Sequence, residues 1–324
     1  MKKYILVTGA AGYIGSHIAF LCAQSDFFVI GIDIKTNPAL LNNQLITLVT
    51  GDCTEQTTIT ELFKKYSFHA VIHCASLIEV HESVINPERY YHNNLLSTLN
   101  ILHAMRTHHV KNIIFSSSCA VYGTPMYTPI DEKHPKNPIS PYGTTKKIIE
   151  DMLLDYAAAY KFNVVSLRFF NAAGGWYQHG LGESHTPETH LLPRLISAAI
   201  TKKPIDIFGT DYPTPDGTCI RDFVSVGDIA RAHLATLHYL HAGGASTAIN
   251  LGSGRGFSLL QIILQLEQQL NTQITVNYKP RRDGDPAILI ANPHLATTLL
   301  GWTITEPIHV ILQQALHWQT KKGF

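Results

Sequence analysis

Residues 4–15 read YILVTGAAGYIG, and this stretch decides the fold of the chain. Its first five residues are apolar or β-branched, as is typical of a buried parallel strand. Gly9, Gly12 and Gly15 follow with a G-x-x-G-x-x-G spacing, and an apolar helical pattern continues from Tyr13 to Leu21. Glycines at such a turn let backbone N–H groups approach a pyrophosphate, whose negative charge the N-terminus of the helix favours. The stretch therefore predicts a dinucleotide-binding unit.

A second predicted strand, residues 27–33, ends in an acidic residue that lies eighteen positions after Gly15. The Asp33 carboxylate can accept a hydrogen bond from a ribose 2′-hydroxyl. It would repel a 2′-phosphate, and the next residues, Ile34 and Lys35, supply one cation at most. We therefore expect NAD as the cofactor. The alternative is that the glycines only pack a helix on a sheet and that Asp33 begins a loop.

Predicted strands and helices alternate through the first half of the chain. After Asp33 the pattern predicts strands at 44–50, 70–75, 112–118 and 164–169 and helices at 55–66, 87–109 and 141–160. This alternation is typical of parallel strands joined by right-handed crossovers, with helices on both faces. We expect an α/β fold with a doubly wound parallel sheet, a Rossmann fold. Small or polar residues end four strands, at 51–52, 74–76, 116–118 and 169–171, where a ligand crevice should lie.

The pattern changes after Asn171. Gly- and Pro-rich loops at 173–187 and 209–218 alternate with predicted helices near 188–202, 226–242, 259–270, 293–301 and 307–322. We expect an NAD-binding domain at 1–171 and a smaller C-terminal substrate-binding lobe at 172–324 that covers the crevice. Residues from about 225 to 251 are expected to return to the first domain, so that the boundary is discontinuous.

Composition argues against several classes of partner. The chain has 324 residues and a formal net charge of +1, and no run of like charges suggests a nucleic-acid surface. A strand pattern begins within two residues of the N-terminus, which leaves no room for a signal peptide, and no stretch approaches the ~18 apolar residues of a membrane span. We expect a cytoplasmic protein that binds neither nucleic acid nor a membrane.

The cysteines and histidines do not favour a metal site. Five cysteines, an odd number, are spread through the chain and predict reduced, buried thiols. They are Cys22, Cys53, Cys74, Cys119 and Cys219. The chain has 18 histidines, yet no H-E-x-x-H motif occurs, and His108 and His109 lie adjacent at a predicted helix end. We therefore expect no bound metal.

Tyr142 and Lys146 form a candidate proton-transfer pair. They are four residues apart, so they share one face of a helix that Pro141 can begin. A free tyrosine has a pKa near 10, so a phenolate base at neutral pH requires a decrease of roughly three units, about 4 kcal/mol. One cation at about 4 Å supplies about that amount, and an oxidised nicotinamide adds a second positive charge.

Ser118, at the carboxyl end of a predicted strand, can hold a substrate hydroxyl in the same proton relay. The alternative for a Y-x-x-x-K spacing alone is an exposed amphipathic helix without a catalytic role. The position of the Tyr142–Lys146 motif, downstream of the predicted dinucleotide-binding residues, favours a catalytic role.

These motifs resemble those of the extended short-chain dehydrogenase/reductases, the NAD-dependent epimerase/dehydratase family, over nearly the whole chain. Within that family the chain is most similar to the UDP-glucose 4-epimerase group. The further motifs that carry the resemblance are YYHNN at 90–94, FSSSCAVYG at 115–123, RFFN at 168–171, IFGTDYPTPDGT at 207–218, RDF at 221–223 and RRDGDP at 281–286.

The resemblance implies roles for three sets of residues. The catalytic set would be Ser118, Tyr142 and Lys146, with Lys146 also bonding the nicotinamide ribose. The residues that line NAD would be Gly9, Gly12, Tyr13, Ile14, Gly15, Asp33, Asp52, Cys53, Asn93, Tyr142 and Lys146. The residues that contact a UDP-hexose would be Ser118, Tyr142, Asn171, His190, Leu191, Phe208, Arg221, Arg282, Asp285 and Leu289. The guanidinium groups of arginines can bind the oxygens of a pyrophosphate, and the Phe208 ring can contact uracil. The alternative for the arginine motifs at 221–223 and 281–286 is that they form surface salt bridges.

The implied activity is that of an isomerase, which would interconvert UDP-galactose and UDP-glucose through a transient 4-keto sugar with tightly bound NAD. Three alternatives stay open: a UDP-N-acetylglucosamine 4-epimerase, another NAD-dependent nucleotide-sugar epimerase or dehydratase, and a non-catalytic NAD-binding sensor. Cys119 and Ala120 stand where dehydratases carry an Asp-Glu pair, which argues against dehydration. Ile78 stands where many relatives carry a lysine or a polar residue, and His190 stands where some relatives have asparagine and others the same histidine. Leu289 falls where a large or small side chain sets the tolerance for an N-acetyl group in the family. These positions leave the choice of hexose open.

Two long predicted helices carry apolar residues on more than one face. They cover residues around 90–109 and 142–160. Pairing with the same helices of a second subunit would bury these faces, so we expect a homodimer.

Overall fold

A seven-stranded parallel sheet forms the centre of the molecule in the computed structural model, which describes residues 3–282 and 285–322. The strands are β1 (Tyr4–Thr8), β2 (Phe28–Asp33), β3 (Ile46–Thr50), β4 (Phe68–His73), β5 (Asn112–Ser118), β6 (Asn163–Phe169), β7 (Asn171–Ala173), β8 (Ile205–Phe208), β9 (Ile220–Ser225), β10 (Thr247–Leu251), β11 (Gly256–Ser258), β12 (Val276–Lys279) and β13 (Ile288–Leu289). The central sheet has the order β10-β6-β5-β4-β1-β2-β3, and every pairing in it is parallel. This confirms the predicted doubly wound α/β fold.

Helices cover both faces of this sheet. They are α1 (Tyr13–Gln24), α2 (Pro38–Leu41), α3 (Gln56–Lys65), α4 (Val80–Ile85), α5 (Pro87–Thr107), α6 (Pro141–Tyr160), α7 (Leu191–Thr201), α8 (Val226–His241), α9 (Leu259–Leu270), α10 (His294–Leu300) and α11 (Ile308–Lys322). No helix within the described residues combines the length and the apolar character that a membrane crossing requires.

The first strand shows why its sequence is apolar without interruption. Ile5 and Val7 join an apolar cluster with α1 and α8, whereas Leu6 joins a cluster with α3, α5 and α6 on the opposite face. All three side chains are fully buried. Successive residues of a strand point to opposite faces, so a strand covered on both faces needs apolar residues at every position.

The strand order reverses at β1, which has β2 on one side and β4 on the other. In open α/β sheets, ligands bind outside the carboxyl ends of the strands at such a reversal. The glycine-rich turn after β1 and the segment after β4 therefore lie at the expected place for a ligand.

Two smaller sheets follow the central one. One contains β11, β9 and β13, with β7 paired to β9, and the other joins β12 to β8. They pack with α7, α9 and α11 around a separate apolar cluster that includes Leu195, Ile207 and Leu312. The strands of two to six residues in these sheets were not predicted, because short strands in Gly- and Pro-rich stretches depend on tertiary pairing.

The prediction of five reduced, buried cysteines is partly wrong. All five are free, but only Cys22 and Cys53 are buried, and Cys74, Cys119 and Cys219 are partly exposed. Cys74 directly follows β4 and Cys119 directly follows β5. Both therefore stand at the carboxyl edge of the sheet, where the chain opens toward the crevice and does not enter the core.

Candidate active site

The turn after β1 accepts only glycine at two positions. Gly9 has a φ of +67°, and a Cβ atom there would lie 2.8 Å from the Ala75 backbone nitrogen. A Cβ on Gly15 would lie 2.1 Å from the Gly9 carbonyl oxygen. Both approaches are shorter than any carbon contact allows, so side chains are excluded. The backbone can then come close to a pyrophosphate, as a dinucleotide requires.

The N-terminus of α1 and the Asp33 carboxylate face this same turn. Gly12 precedes the first helical residue and offers no side chain to cap the helix. Asp33 Oδ2 accepts a hydrogen bond from the Ala11 backbone nitrogen at 3.0 Å, and Oδ1 accepts one from the Lys35 backbone nitrogen at 3.1 Å. The partial positive charge of the helix end suits a pyrophosphate, and the carboxylate suits a ribose hydroxyl. These residues therefore fit a bound dinucleotide.

The other predicted dinucleotide residues lie along the same edge. The Tyr13 hydroxyl donates to the Gly174 carbonyl oxygen at 2.9 Å, and Asp52 Oδ1 accepts from the Thr54 nitrogen at 2.8 Å. Cys53 is buried, and Ile14 and Asn93 are partly buried. Tyr13 and Asp52 thus fix loops beside the crevice.

Two residues that shape this edge were missed by the sequence analysis. Thr8 Oγ1 accepts hydrogen bonds from the backbone nitrogens of Cys74 and Ala75, both at 3.1 Å, and thereby holds the turn after β4. The Asn94 side chain bonds both backbone groups of Leu77 and donates to Thr145 Oγ1 at 3.1 Å. A polar residue at the end of an apolar strand was the available signal for Thr8.

The candidate catalytic residues meet at the carboxyl end of β5. Ser118 is the last residue of that strand, and Tyr142 and Lys146 lie in the first two turns of α6. The helix begins at Pro141, and the Ser140 hydroxyl caps it by accepting a hydrogen bond from the Gly143 nitrogen at 3.2 Å. All three candidate side chains are buried.

Gly143 permits this close approach. A Cβ atom at Gly143 would lie 2.6 Å from the Ala120 carbonyl oxygen, in the turn that follows Ser118. Any larger residue would push the start of α6 away from β5. The Y-G-T-T-K sequence therefore needs its glycine for packing.

Burial changes the pKa values of Tyr142 and Lys146. It raises the pKa of Tyr142 to about 12, although hydrogen bonding to Ser118 opposes this change. It lowers the pKa of Lys146 to about 8. The Lys146 ammonium donates to the Ser116 carbonyl oxygen at 2.9 Å. A phenolate at neutral pH therefore requires positive charge close to Tyr142, which the Lys146 ammonium and an oxidised nicotinamide would supply.

A buried ion pair connects α6 to the central sheet. Arg168 of β6 contacts Glu150 of α6 with two hydrogen bonds of 2.8 and 2.6 Å. The Ser117 hydroxyl donates to the same carboxylate at 2.7 Å. Glu150 lies one turn after Lys146, so these contacts tie the catalytic face of α6 to β5 and β6. The sequence analysis did not find this pair.

The predicted nucleotide-contacting residues form two groups. Arg221 on β9 is bonded to the Asp285 carboxylate, and Leu289 on β13 is its register partner. The Arg282 guanidinium lies 3.9 Å from the centre of the Phe208 ring. Asp283 and Gly284, within the same predicted motif, lie outside the described residues.

Leu289 links the first group to the catalytic end of β5. It packs with Cys119 against a small apolar cluster formed by Val121, Tyr122 and Ile130, among others. Cys119 directly follows Ser118, so the Arg221 group adjoins the catalytic residues. Arginine and aromatic side chains suit the phosphates and the base of an anionic nucleotide.

The remaining predicted substrate residues lie on two elements. Asn171 is exposed at the start of β7, His190 precedes α7, and Leu191 is the first residue of α7. His190 Nδ1 is 2.5 Å from Glu183 Oε1, a short contact within the chain.

Fold and site together indicate a class of protein: a Rossmann-fold protein whose glycine turn fits a dinucleotide, with a buried Tyr-Lys pair at the carboxyl end of the central sheet. The model of the NAD dependent epimerase/dehydratase family matches residues 5–252, and the chain belongs to this family. Family membership confirms the prediction of NAD as the cofactor.

The chain is similar over nearly its full length to three proteins of this family. A UDP-glucose 4-epimerase of Rhizobium leguminosarum bv. trifolii is 39% identical over 320 residues, which cover 98% of each chain. The crystal structure of the UDP-glucose 4-epimerase from Brucella ovis, in complex with NAD, is 42% identical with a TM-score of 0.93, and 98% of each chain is covered. The enzyme of the same name from Bifidobacterium longum, in complex with NAD+ and UDP, is 36% identical with a TM-score of 0.93 over 98% of each chain.

Proposed function

We propose that this chain is an isomerase that interconverts UDP-galactose and UDP-glucose by inverting C4 of the hexose. The arrangement that carries the proposal is the buried meeting of Ser118, Tyr142 and Lys146 beside the glycine turn, adjacent to the Arg221 group. Similarity to UDP-glucose 4-epimerases over nearly the full length supports the same reaction.

Each catalytic residue has a distinct task. The Tyr142 phenolate accepts the proton of the 4-hydroxyl group and later returns a proton to the 4-keto oxygen. Ser118, at the end of β5, holds that hydroxyl group beside the phenol. Bound NAD supplies the acceptor and donor for the hydrogen on C4. Lys146, buried one helical turn away, lowers the energy of the phenolate with its positive charge.

Inversion requires that the nucleotide half be held more firmly than the hexose. Arg221 and Arg282 would grip the pyrophosphate, and Phe208 would contact uracil. Arg221 is bonded to Asp285, and Arg282 lies over Phe208. These side chains would hold the nucleotide, while the 4-keto sugar turns in a looser pocket.

A preference for N-acetylhexosamines is the second candidate specificity. Leu289 is partly buried opposite Arg221 and beside Cys119, where it borders the space for the hexose. Leucine is intermediate in size between the small and the large side chains that the resemblance implies for this position, so we expect an intermediate tolerance for an N-acetyl group. The ratio of activity with UDP-galactose to activity with UDP-N-acetylgalactosamine measures this specificity.

Incubation with UDP-galactose tests the function. The purified protein should form UDP-glucose, and UDP-N-acetylgalactosamine in a parallel reaction measures the tolerance at Leu289. The absence of any product from either substrate, with NAD bound in full, would favour a sensor that kept the fold without the chemistry.

We further propose two lobes, with NAD-binding residues at 1–171 and a substrate-binding lobe at 172–324 from which residues near 225–251 return. The return is supported by β10 at the edge of the central sheet and by α8, which packs on α1. A cytoplasmic location is supported by the five free thiols.

A homodimer through α5 and α6 completes the proposal. These two helices pack along each other and expose Leu99 and Leu154, with 42% and 50% of their surfaces accessible. Sedimentation at micromolar concentration should give a dimer, and a monomer would count against this pairing.

A further inference from the structure

The segment before α7 contains two Glu-x-His units. Residues 183–190 read ESHTPETH. The side chains of the two units lie close together; they are Glu183, His185, Glu188 and His190. Each offers one ligand atom, and these four atoms all lie within 4.8 Å of one another. The spacing differs from common zinc motifs, which is why the sequence analysis expected no metal.

The distances within the cluster match co-ligands of one ion. His185 Nδ1 lies 3.7 Å from Glu183 Oε1 and 3.7 Å from Glu188 Oε1. His190 Nδ1 lies 3.9 Å from Glu188 Oε1. Ligands about 2.0–2.1 Å from a tetrahedral zinc ion are separated by roughly 3.3 Å, so these three pairs would need to shorten by about half an ångström and the 2.5 Å contact between His190 and Glu183 would need to lengthen.

Hydrogen bonds within the protein account for His190 but not for the ring nitrogen Nδ1 of His185. The short contact between His190 and Glu183 is a hydrogen bond. His185 Nδ1, by contrast, is buried and has no hydrogen-bond partner among the described residues. A separation of 3.7 Å from two carboxylate oxygens is too long for hydrogen bonds. A buried ring nitrogen that faces two carboxylates without bonding to either has the environment of a metal ligand.

The surrounding chain holds the cluster in place. Trp318 Nε1 and Gln319 Nε2 donate to the Glu183 carbonyl oxygen at 2.6 and 3.1 Å. The His190 backbone nitrogen donates to Glu188 Oε1 at 3.0 Å. Hydrogen bonds of this kind orient ligands before a metal binds.

We propose that Glu183, His185, Glu188 and His190 bind one Zn²⁺ ion in a tetrahedral site. Two imidazole nitrogens with two carboxylate oxygens suit zinc, whereas magnesium and calcium prefer more oxygen ligands. With neutral imidazoles the two carboxylates carry two negative charges, which the ion would neutralise. The ion would fasten the loop to the start of α7 and leave Nε2 of His190 free. His190 also belongs to the residues that the resemblance implies for UDP-hexose contact, so the metal site would border the substrate site, and its test measures bound metal instead of turnover.

Metal content tests the proposal directly. The tag-free full chain is purified, stripped with a chelator, and titrated with Zn²⁺ against a competing chromophoric chelator. We expect one ion per chain. Titration with Co²⁺ should give the intense visible absorption of a tetrahedral site. His185→Gln should weaken Zn²⁺ binding by roughly 100-fold or more, the share of one ligand in a four-ligand site.

The control is His309→Gln, which changes an exposed histidine on α11 and should retain the wild-type affinity. If His185→Gln does not fold, Glu188→Gln serves in its place, and the Co²⁺ spectrum of the wild type is decisive without any variant. Equal Zn²⁺ affinity in the folded ligand variant and the wild type, substoichiometric binding, or the weak absorption of octahedral Co²⁺ would each overturn the proposal.

Discussion

Lys146 lies one helical turn beyond Tyr142, and its ammonium nitrogen is 5.7 Å from the centre of the Tyr142 ring. Both side chains are buried, and the same nitrogen is fixed by the Ser116 carbonyl oxygen. A positive charge held beside a phenol in a low-dielectric setting favours the phenolate. Burial raises the pKa of Tyr142 to about 12, so a phenolate at neutral pH requires positive charge close to the ring.

Tyr142→Phe should lower turnover by roughly 100-fold or more while the fold is kept, because it removes one acid/base oxygen and few packing atoms. Steady-state rates with UDP-galactose, together with circular dichroism, measure both effects. Tyr156→Phe is the matched control on the same helix and should retain activity. Near-normal turnover in Tyr142→Phe would reject the assignment of the base.

Lys146→Met should change how the stability of the NAD-free protein depends on pH. The pKa of Lys146 is lowered from 10.5 to about 8 by burial, so below pH 8 the folded protein carries a buried charge at a cost. Between about pH 8 and 10.5 the unfolded chain binds more protons than the folded one, and stability rises with pH by roughly 3 kcal/mol in total.

The variant lacks this rise. Its stability relative to the wild type should therefore be greatest near pH 7 and should decrease toward pH 10, as measured by urea unfolding at several pH values. A stability difference between the two proteins that is constant from pH 7 to 10 would contradict the shifted pKa.

Glu150→Gln should destabilise the protein by about 3–5 kcal/mol, because Arg168 would keep a buried charge without its carboxylate partner. Asp151→Asn is the neighbouring control. Its carboxylate pairs with Lys136 and Lys147 on the surface, with 46% of the side chain exposed, and its loss should cost below about 1 kcal/mol. Urea unfolding compares the two, and equal losses would show that the buried pair contributes no more than the surface pairs.

Arg282→Ala should raise KM for the UDP-hexose by about 10-fold or more with a smaller effect on kcat, since it removes a grip on the nucleotide that is kept throughout the reaction. Arg281→Ala is the adjacent control, because Arg281 instead stacks on Tyr212 and pairs with Asp211. Initial rates over a range of substrate concentrations separate the two constants. The same KM in Arg282→Ala and the wild type would remove Arg282 from the substrate site.

The sequence predicted well where local signals and the fold agree. The bounds of β5 and α6 match their predicted limits, because Pro141 marks the helix start and the apolar residues 113–115 mark the strand. The glycine turn and Asp33 were likewise readable, since backbone geometry at Gly9 and Gly15 allows no other residue.

Contacts between distant residues could not be read in this way. Glu150 and Arg168 meet only because α6 packs on β6, and β13 pairs with β9 across more than sixty residues. The raised pKa of Tyr142 depends on how deeply α6 is buried, which spacing does not encode. The cluster at 183–190 required the loop conformation to bring its four side chains together.

Deuterium at C4 of UDP-galactose provides the decisive measurement. In the proposed reaction one hydrogen leaves this carbon and returns to its opposite face without exchange, while only the hydroxyl proton passes through Tyr142. UDP-glucose formed in ordinary water should therefore keep the full deuterium content at C4, as read by NMR or mass spectrometry. Conversion with loss of deuterium to the solvent would contradict it.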